Sequence, residues 1–361
     1  MFNKLWKKED NMEKILSIII PTYNAEKFLD KGLTSYIMKD ADLMNKLEVI
    51  VVNDGTPDNS VAVAQKYVDK YPHVFSIINK ENGGHGSGIN VGAANATGKY
   101  FKVIDADDWV ETAALERLIK YLDKVETFDA LITSFTTYDI SKDKYEYQGV
   151  KMPDYDRVYN LAELMEHWDN LQIGFSFHGV LYNTKFYTDQ NYKLVEKAFY
   201  EDQEYATCPL AWATKVRVLD DPMYVYRIGD VSQSVSVTSQ LKRLPDFEKV
   251  LWKMMDFEKV ADQCPPGGKD EWMRKLSKYI ASIYHVILIK NPNKTNMRKY
   301  ADELEAKIEA KSPTIYAGVK NKIKVFKILN KFYMSEKVYA YGFSPCLKFA
   351  KKFLGAGKLY K

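Results

Sequence analysis

The sequence predicts an α/β fold with a mostly parallel sheet, followed by a helical C-terminal region. In the first 104 residues, short apolar segments alternate with segments whose apolar residues recur at helical spacing. This alternation is typical of parallel strands joined by crossover helices. From residue 241 to residue 310 the periodicity is helical and amphipathic, with turn-forming residues at 264–268 and 291–293.

Each predicted strand of the first part ends in polar or glycine-rich residues. The segment 100–104 leads directly into Asp105, Asp107 and Asp108, and we expect Asp108 to cap a helix that begins near Trp109. Ligands bind off the carboxyl ends of strands in such sheets, so we expect these polar residues to converge on one cleft. The predicted strands are residues 16–20, 47–52, 74–78 and 100–104, and the predicted helices are residues 25–38, a helix opened by Pro57 and Ser60, and residues 89–96.

The pattern changes from about residue 128. The segment 138–159 is charged and aromatic, which suggests a hairpin or an insertion. Glu201 and Asp202 lie at the start of a predicted helix that continues through Leu210 and Ala213. The other predicted elements are strand-like segments at 131–137, 216–219 and 223–226 and a helix at 161–168.

Length and composition indicate a globular protein with a substantial core. With 361 residues, of which 46% are hydrophobic, the chain is long enough for one large domain and a smaller one. Cys208, Cys264 and Cys346 have no metal-ligand spacing, so we expect a reducing cytoplasm and no disulfide. The apolar run 15–20 is far shorter than the ~20 residues of a membrane-spanning helix, and we expect neither a signal peptide nor a transmembrane segment.

Charge is distributed unevenly along the chain. The net charge is +4, but residues 311–361 contain twelve lysines and one acid, Glu336, a local net charge of +11 that leaves −7 for the rest. An acidic body suits a metal-dependent site. The basic tail, residues 319–361, contains interleaved Phe, Tyr and Leu residues and suits an anionic surface.

The carboxylates after the fourth strand form the most informative cluster. Asp105, Asp107 and Asp108 would repel one another in a partly dry cleft, whereas a divalent cation bound by oxygen ligands would balance their charge and hold a diphosphate. The alternative is a solvated turn with a helix cap. For Glu201 and Asp202 the alternative is a helix N-terminus that favours acids.

Four blocks of residues stand in order between residues 14 and 235: SIIIPTYNAEKFL, VIVVNDGTPDNS, NGGHGSGINVGAANATGKYFKVIDADDWV and YEDQEY. Together they resemble a family 2 glycosyltransferase with the Rossmann-like GT-A fold, of the bacterial cell-surface polysaccharide type. The resemblance implies a transferase domain at residues 1–235, with a donor half at about 14–110 and an acceptor half at about 128–235. It implies metal-dependent, inverting transfer of a sugar from a nucleotide-diphospho-sugar, a UDP-sugar, to a hydroxyl of a glycan or lipid-linked acceptor.

The resemblance also implies roles for residues of the donor half. Pro21, Thr22 and Tyr23 would line the nucleotide base pocket, and Asp54 would accept a hydrogen bond from the base. Asp105 would hold the ribose.

The remaining implied roles concern the metal and the acceptor. Asp107, with Asp105, would coordinate Mg²⁺ or Mn²⁺ bridging the diphosphate. Asp202 would be the general base that deprotonates the acceptor hydroxyl. Further candidates for contact with the donor are Gly84, His85, Ala106 and Arg227.

This chain departs from the common family pattern in the glycine loop. Ile89 stands where many members carry Arg, and His85 could supply a hydrogen-bond donor to the diphosphate instead. The alternatives are an exposed loop histidine for His85 and a surface side chain for Arg227. His178 falls where relatives often have an aromatic residue, and it either contacts a ligand or packs internally.

The helical region 236–361 ends in the basic tail, which we expect to lie on the anionic inner face of the cell membrane. The protein would then be cytoplasmic and peripheral to the membrane. The alternatives are a solvated helical face or a contact in a homo-oligomer. Nucleic acid is a less fitting partner, because the tail contains no arginine and the body is acidic.

Three rival functions have specific sequence requirements. A dehydrogenase needs G-x-G-x-x-G after the first strand, but residues 84–88 (GHGSG) follow the third strand. A nucleotidyltransferase predicts a basic phosphate loop early in the chain, and residues 17–24 contain no basic residue. A non-catalytic scaffold that keeps the fold is opposed by the carboxylates Asp54, Asp105, Asp107 and Asp202.

Overall fold

The computed structural model of the protein describes residues 13–230 and 237–340. The chain divides into two compact units. The first unit comprises residues 1–230 and 265–268, and the second comprises residues 231–264 and 269–361. Part of the predicted basic tail, residues 341–361, lies outside the described residues.

The first unit contains the alternation of strands and helices that the sequence predicts. Its strands are β1 (Leu16–Thr22), β2 (Leu47–Asp54), β3 (Phe75–Lys80), β4 (Tyr100–Val103), β5 (Trp109–Val110), β6 (Ala130–Thr133), β7 (Phe135–Asp139), β8 (Lys144–Gln148), β9 (Val180–Asn183), β10 (Val216–Leu219) and β11 (Tyr224–Ile228). Its helices are α1 (Glu26–Ser35), α2 (Ala41–Asn45), α3 (Ser60–Lys70), α4 (His85–Asn95), α5 (Thr112–Lys124), α6 (Leu161–Glu166), α7 (Trp168–Leu171), α8 (Thr184–Asp189) and α9 (Asp202–Tyr205).

Seven strands form the central sheet, in the order β10-β6-β9-β4-β1-β2-β3. All neighbouring pairs are parallel except those of β9, which runs antiparallel between β4 and β6. Every residue of β1 is buried, because both faces of a central parallel strand are covered. The connections leave β1 and β4 in opposite directions, and the gap between their carboxyl ends is the position where such sheets bind ligands.

A second, smaller sheet has the order β5-β11-β7-β8. The hairpin of β7 and β8 begins three residues before the predicted hairpin or insertion at 138–159 and ends within it. The two-residue strand β5 pairs with β11. This pairing brings Asp105 to Asp108, which connect β4 to β5, close to the backbone of β11.

Two sequence predictions in the first unit are wrong. Asp108 does not cap the next helix, because its carboxylate is buried and accepts hydrogen bonds from β11; Glu111 caps α5 instead. The helix predicted to run through Leu210 and Ala213 ends at Tyr205, and only a 3₁₀ turn follows at Leu210–Trp212. Pro209 has a helical backbone conformation but no N–H to donate, so the run of helical hydrogen bonds is interrupted there.

The second unit is helical in its described part, as the periodicity predicts. Its elements are α10 (Val237–Lys242), α11 (Leu244–Asp256), α12 (Glu258–Ala261), α13 (Gly268–Tyr284), a π-helical segment (His285–Lys290), α14 (Arg298–Lys311), α15 (Pro313–Lys331) and α16 (Glu336–Val338). None of the helices among residues 13–230 and 237–340 has the length and apolar character needed to span a bilayer.

Candidate active site

His85 brings together three segments that are far apart in the sequence. It is the first residue of α4, after the glycine loop, and its Nδ1 lies 2.6 Å from Glu201 Oε1. Its Nε2 lies 2.9 Å from Asp105 Oδ1, at the end of β4. Both ring nitrogens therefore face carboxylate oxygens, and a doubly protonated ring donates a hydrogen bond to each.

Charge stabilises this arrangement. Burial alone would lower the pKa of His85, but the hydrogen bonds and charges of Asp105 and Glu201 outweigh it and raise the pKa well above its ordinary value. Burial would raise the pKa of Asp105, but the hydrogen bond and charge of His85 outweigh it and lower the pKa. Near neutral pH the three groups form an imidazolium between two carboxylates.

Asp54 fixes the shape of the glycine loop. Its buried carboxylate accepts hydrogen bonds from Lys80 Nζ at 2.5 Å and from the backbone N–H groups of Gly83 and Gly84 at 2.8 Å each. Gly84 has φ of +83°, in the left-handed region that favours glycine, and a Cβ there would lie 3.1 Å from the backbone N of Lys197. The predicted contact of Asp54 with a nucleotide base stays a prediction.

The predicted base-pocket residues differ in how open they are. Pro21 packs against α4, where a Cβ on Gly88 would lie 2.8 Å from Pro21 Cβ. Thr22 is buried and its hydroxyl donates to the carbonyl oxygen of Ile20 at 2.9 Å. Tyr23 is 50% exposed. Of the three, only Tyr23 therefore has a side chain that is exposed to solvent.

Asp107 and Asp108 have different surroundings although they are adjacent. Asp108 is buried and accepts hydrogen bonds from the Tyr224 hydroxyl at 2.5 Å and from the backbone N–H of Arg227 at 2.7 Å. Asp107 is half-buried, with Oδ2 3.6 Å from Nη1 of Arg227. Burial and the charge of Asp105 raise the pKa of Asp107 to about 6. Burial and the charges of Asp105 and Asp107 raise the pKa of Asp108 well above its ordinary value.

These residues fit a divalent cation. Asp105, Asp108 and His178 each have a ligand atom within 4.8 Å of the others' ligand atoms. The carboxylate oxygens of Asp105 and Asp108 are ligands that Mg²⁺ and Mn²⁺ prefer, whereas the imidazole of His178 suits softer transition metals better. Burial, with the charges of the neighbouring carboxylates, raises the pKa of Asp107 and of Asp108, and a bound cation would favour their ionised forms. The assignment of Asp105 and Asp107 as the ligands stays a prediction.

Asp202 is the first residue of α9, next to Glu201. Its Oδ2 accepts a hydrogen bond from Gln203 Nε2 at 2.9 Å. Burial and the charge of Glu201 raise the pKa of Asp202 to about 6. A carboxylate with this pKa is mostly ionised at pH 7 and more basic than an ordinary Asp, which suits a general base.

Lys102 is a site-adjacent residue that sequence reasoning missed. It is buried in β4 and its ammonium group donates to the carbonyl oxygens of His178 at 2.8 Å and Val180 at 2.9 Å. Burial lowers its pKa to about 7. A lysine inside an apolar strand, three residues before Asp105, was the available signal.

Aromatic residues of β11 also line this region without having been predicted. The rings of His178 and Tyr226 stack with centroids 3.9 Å apart, and the Tyr224 ring packs edge-on against His178. Burial lowers the pKa of His178 to about 4, so it is neutral at pH 7. Ile89 is fully buried in α4 and contributes no cation to the site.

Known glycosyltransferases are similar to this chain in sequence. The family model described as glycosyl transferase family 2 matches residues 17–194. Uncharacterized glycosyltransferase EpsJ of Bacillus subtilis (strain 168) is 29% identical over 220 residues, which cover 60% of this chain and 62% of EpsJ. Minor teichoic acid biosynthesis protein GgaB of the same organism is 34% identical over 108 residues, covering 30% of this chain and 12% of GgaB.

A solved structure resembles this fold over most of its length. Staphylococcus aureus TarS 1-349 in complex with UDP-GlcNAc superposes with a TM-score of 0.61 at 17% identity, covering 88% of this chain and 91% of the TarS chain. This likeness confirms the predicted GT-A-type α/β fold. The chain spans less than two thirds of the length of EpsJ and GgaB. Residues 17–194, which contain β1 to β9, therefore match a glycosyl transferase family 2 domain, as the sequence blocks predict.

Proposed function

We propose that the protein is a metal-dependent, inverting glycosyltransferase that moves a sugar from a UDP-sugar to a hydroxyl group of a glycan or lipid-linked acceptor. The observation that carries this proposal is the cluster around His85, which joins the end of β4 to the segment that holds Asp202. Residues for donor and acceptor chemistry thus lie beside one another. GgaB is named as a teichoic acid biosynthesis protein, which supports a role in cell-surface polysaccharide synthesis.

The donor half, about residues 14–110, would bind the nucleotide. Tyr23 would cover the base and Asp54 would accept its N–H, while Asp105 would hold the ribose. TarS 1-349 was solved with UDP-GlcNAc, which supports a UDP-sugar as the donor class. Gly84 and Ala106 would approach the donor through their backbones.

A bound Mg²⁺ or Mn²⁺ would screen the negative charge that grows on the departing diphosphate. Asp105 and Asp107 would hold it. Arg227, whose side chain is 13% exposed and points toward Asp107, would add a positive charge on the same side. His85 already donates to two carboxylates, so its role would be to keep Asp105 ionised and in place rather than to contact the diphosphate.

Asp202 would act on the acceptor. As the acceptor oxygen attacks the sugar C1 from the side opposite the diphosphate, its proton would pass to the Asp202 carboxylate. The bond between C1 and the diphosphate oxygen breaks in the same step, and the configuration at C1 inverts. No covalent intermediate with the protein is needed.

The proposal places the transferase domain at residues 1–235, with the acceptor half at about 128–235, and the protein at the inner face of the cell membrane. A non-catalytic protein that keeps the fold is the second candidate, and a nucleotidyltransferase is the third. No residue from Ser17 to Asn24 is basic, which disfavours a nucleotidyltransferase.

A donor screen tests the proposal. Nucleotide release is measured with a panel of UDP-sugars, with Mn²⁺ or Mg²⁺ and after chelation of the metal. We expect release with one or few donors and its loss on chelation. Absence of release with every common donor, together with no thermal shift on adding nucleotide, would favour the non-catalytic candidate.

A further inference from the structure

The exposed apolar residues of the described chain are concentrated in one short segment. Eight large hydrophobic residues are exposed among residues 13–230 and 237–340, and four of them lie between residues 328 and 338. Phe332 is 79% exposed and Tyr333 is 61% exposed. Single exposed apolar residues are ordinary, whereas a cluster of this kind marks an interaction surface.

The helix that leads into this cluster carries only positive charge. Helix α15 contains five lysines and no acid. Lys320, Lys324 and Lys331 are exposed, and Ile328 is exposed between them. Spacings of four, four and three residues place these four side chains on one face of the helix. We call the surface formed by Lys320, Lys324, Ile328, Lys331, Phe332 and Tyr333 the docking patch.

The docking patch is separate from the face that α15 uses for folding. Ile315, Val319, Ile323, Phe326 and Leu329 are buried on that other face. The apolar residues of the docking patch are therefore additional to the core contacts of the helix. Tyr333 also contacts α14, where the Arg298 guanidinium lies 5.5 Å from its ring centroid.

The backbone fixes the position of the two aromatic residues. Tyr333 has φ of 54°, and its N–H donates to the carbonyl oxygen of Asn330 at 2.9 Å. The N–H of Met334 donates to the carbonyl oxygen of Leu329 at 3.0 Å. These bonds close the end of α15 in the manner of a left-handed helix cap. Phe332 and Tyr333 are thus presented by a closed helix end.

Lysines beside exposed Phe and Tyr match one chemical surface best. The aromatic rings partition into the boundary between lipid headgroups and acyl chains, and lysines are attracted to anionic headgroups. We infer that the docking patch binds the surface of an anionic phospholipid bilayer. Residues 341–361 extend the same charge in the sequence, with five lysines and no acid.

This inference rests on the proposed function only in that a lipid-linked acceptor would lie in the same bilayer. Lipid binding itself requires no transfer activity. The two proposals can therefore fail independently, because one is read from vesicle binding and the other from nucleotide release.

The test uses the full chain and vesicles that contain phosphatidylglycerol, with pure phosphatidylcholine vesicles as the neutral comparison. Each lysine near an anionic surface contributes about fivefold to binding, so K320Q/K324Q/K331Q is expected to weaken binding about 100-fold. F332S/Y333S is expected to weaken it about tenfold. The matched control K66Q/K120Q/K124Q changes three exposed lysines of the first unit, has the same net charge as the triple variant, and should change binding less than about twofold.

Several results would overturn the inference. The first is no preference of the full chain for phosphatidylglycerol vesicles. The second is an equal loss of binding in the control, which would mean that net charge acts without the docking patch. The third is unchanged vesicle binding of F332S/Y333S together with loss of a dimer in sedimentation, which would make a second copy the partner. Nucleotide release, measured on the same variants with a water-soluble acceptor, should stay at the wild-type level.

Discussion

Carboxylates are concentrated around His85 and lysines are concentrated in the docking patch, and the two regions differ in how this charge is balanced. In the cluster, the Glu201 carboxylate is buried and Asp105 is partly buried, and both are bound by His85. In the docking patch, lysines are exposed along a helix that contains no acid. The first region has partners within the protein that fix its geometry. The second has its charge directed to solvent, and it requires a partner from outside.

Substitution of the proposed general base, Asp202, should have the largest effect of the changes described here, a loss of transfer rate. Asp202→Asn removes the proton acceptor but keeps the size of the side chain, so we expect the transfer rate to fall about 10³-fold with unchanged affinity for the donor. Rates come from single-turnover transfer and affinity from nucleotide titration. Asp169→Asn, at an exposed carboxylate of α7, is the control. Normal transfer by Asp202→Asn would remove Asp202 from the mechanism.

Added salt should weaken vesicle binding by the docking patch much more than nucleotide binding at the candidate active site. Raising ionic strength from about 0.05 M to about 0.5 M shortens the screening length below the spacing of surface charges, and we expect vesicle binding to fall at least tenfold. Charges fixed by short contacts inside the protein are screened much less, so nucleotide affinity should change by less than about threefold. A parallel loss of both would show that the donor site also depends on long-range attraction.

Substitution of His85 tests whether the Asp105 and Glu201 carboxylates need its positive charge for the stability of the fold. His85→Gln leaves the Asp105 and Glu201 carboxylates without their shared cation, and we expect a loss of about 2 kcal/mol in the free energy of unfolding. Urea denaturation measures it, with exposed His73→Gln as the control.

The pH dependence of that loss has a definite sign. The folded-state pKa of His85 is raised, so its stabilisation is complete below the unfolded-state pKa of about 6.5 and disappears as pH rises through the folded-state pKa. The stability difference between wild type and His85→Gln should therefore be larger at mildly acidic pH than at high pH. A constant difference would indicate packing alone.

Transfer rate should also depend on pH through the base. Because the pKa of Asp202 is about 6 and only its ionised form accepts a proton, the rate should fall about tenfold per pH unit below that value and level off above it. Single-turnover rates at saturating donor give this profile. A flat profile through mildly acidic pH would contradict the assignment.

The smallest expected effect concerns the hydrogen bond to Asp108. Tyr224→Phe removes the hydroxyl that donates to this buried carboxylate, at an expected cost of about 1.5 kcal/mol in the free energy of unfolding. Tyr36→Phe is the control, because the Tyr36 hydroxyl is equally buried and has no hydrogen-bond partner within the described ranges. Equal effects of the two substitutions would mean that the bond contributes nothing.

The strands of the central sheet could be predicted because burial on both faces leaves a continuous apolar run, as in β1 and β2. The positions of Asp54 and Asp105 near one edge follow from the same reasoning, since parallel strands end at one edge. Asp202 follows no parallel strand, and only the family resemblance implied its role. The two-residue strand β5 could not be predicted, because pairing with β11 creates it and no local pattern marks it.

The partners of His85 were also beyond the reach of the sequence. Asp105 and Glu201 lie 20 and 116 residues away, and no spacing rule connects residues that meet only through the fold. The burial of Lys102 could not be predicted for the same reason. Its three carbonyl acceptors are distant in sequence, because they belong to the segment before β9 and to the first residue of β9.

The reversed direction of β9 affects how this protein can diversify. Because β9 is antiparallel to β4 and β6, its first residues lie at the edge where those two strands end. The segment 172–179, which enters β9, therefore lies at the edge that holds Asp105, and it belongs to none of the four sequence blocks. Under the proposed mechanism, we expect insertions or substitutions there to alter which hydroxyl group is presented while Asp54, Asp105 and Asp107 remain unchanged. Libraries built on this segment would then offer a direct route to new linkages.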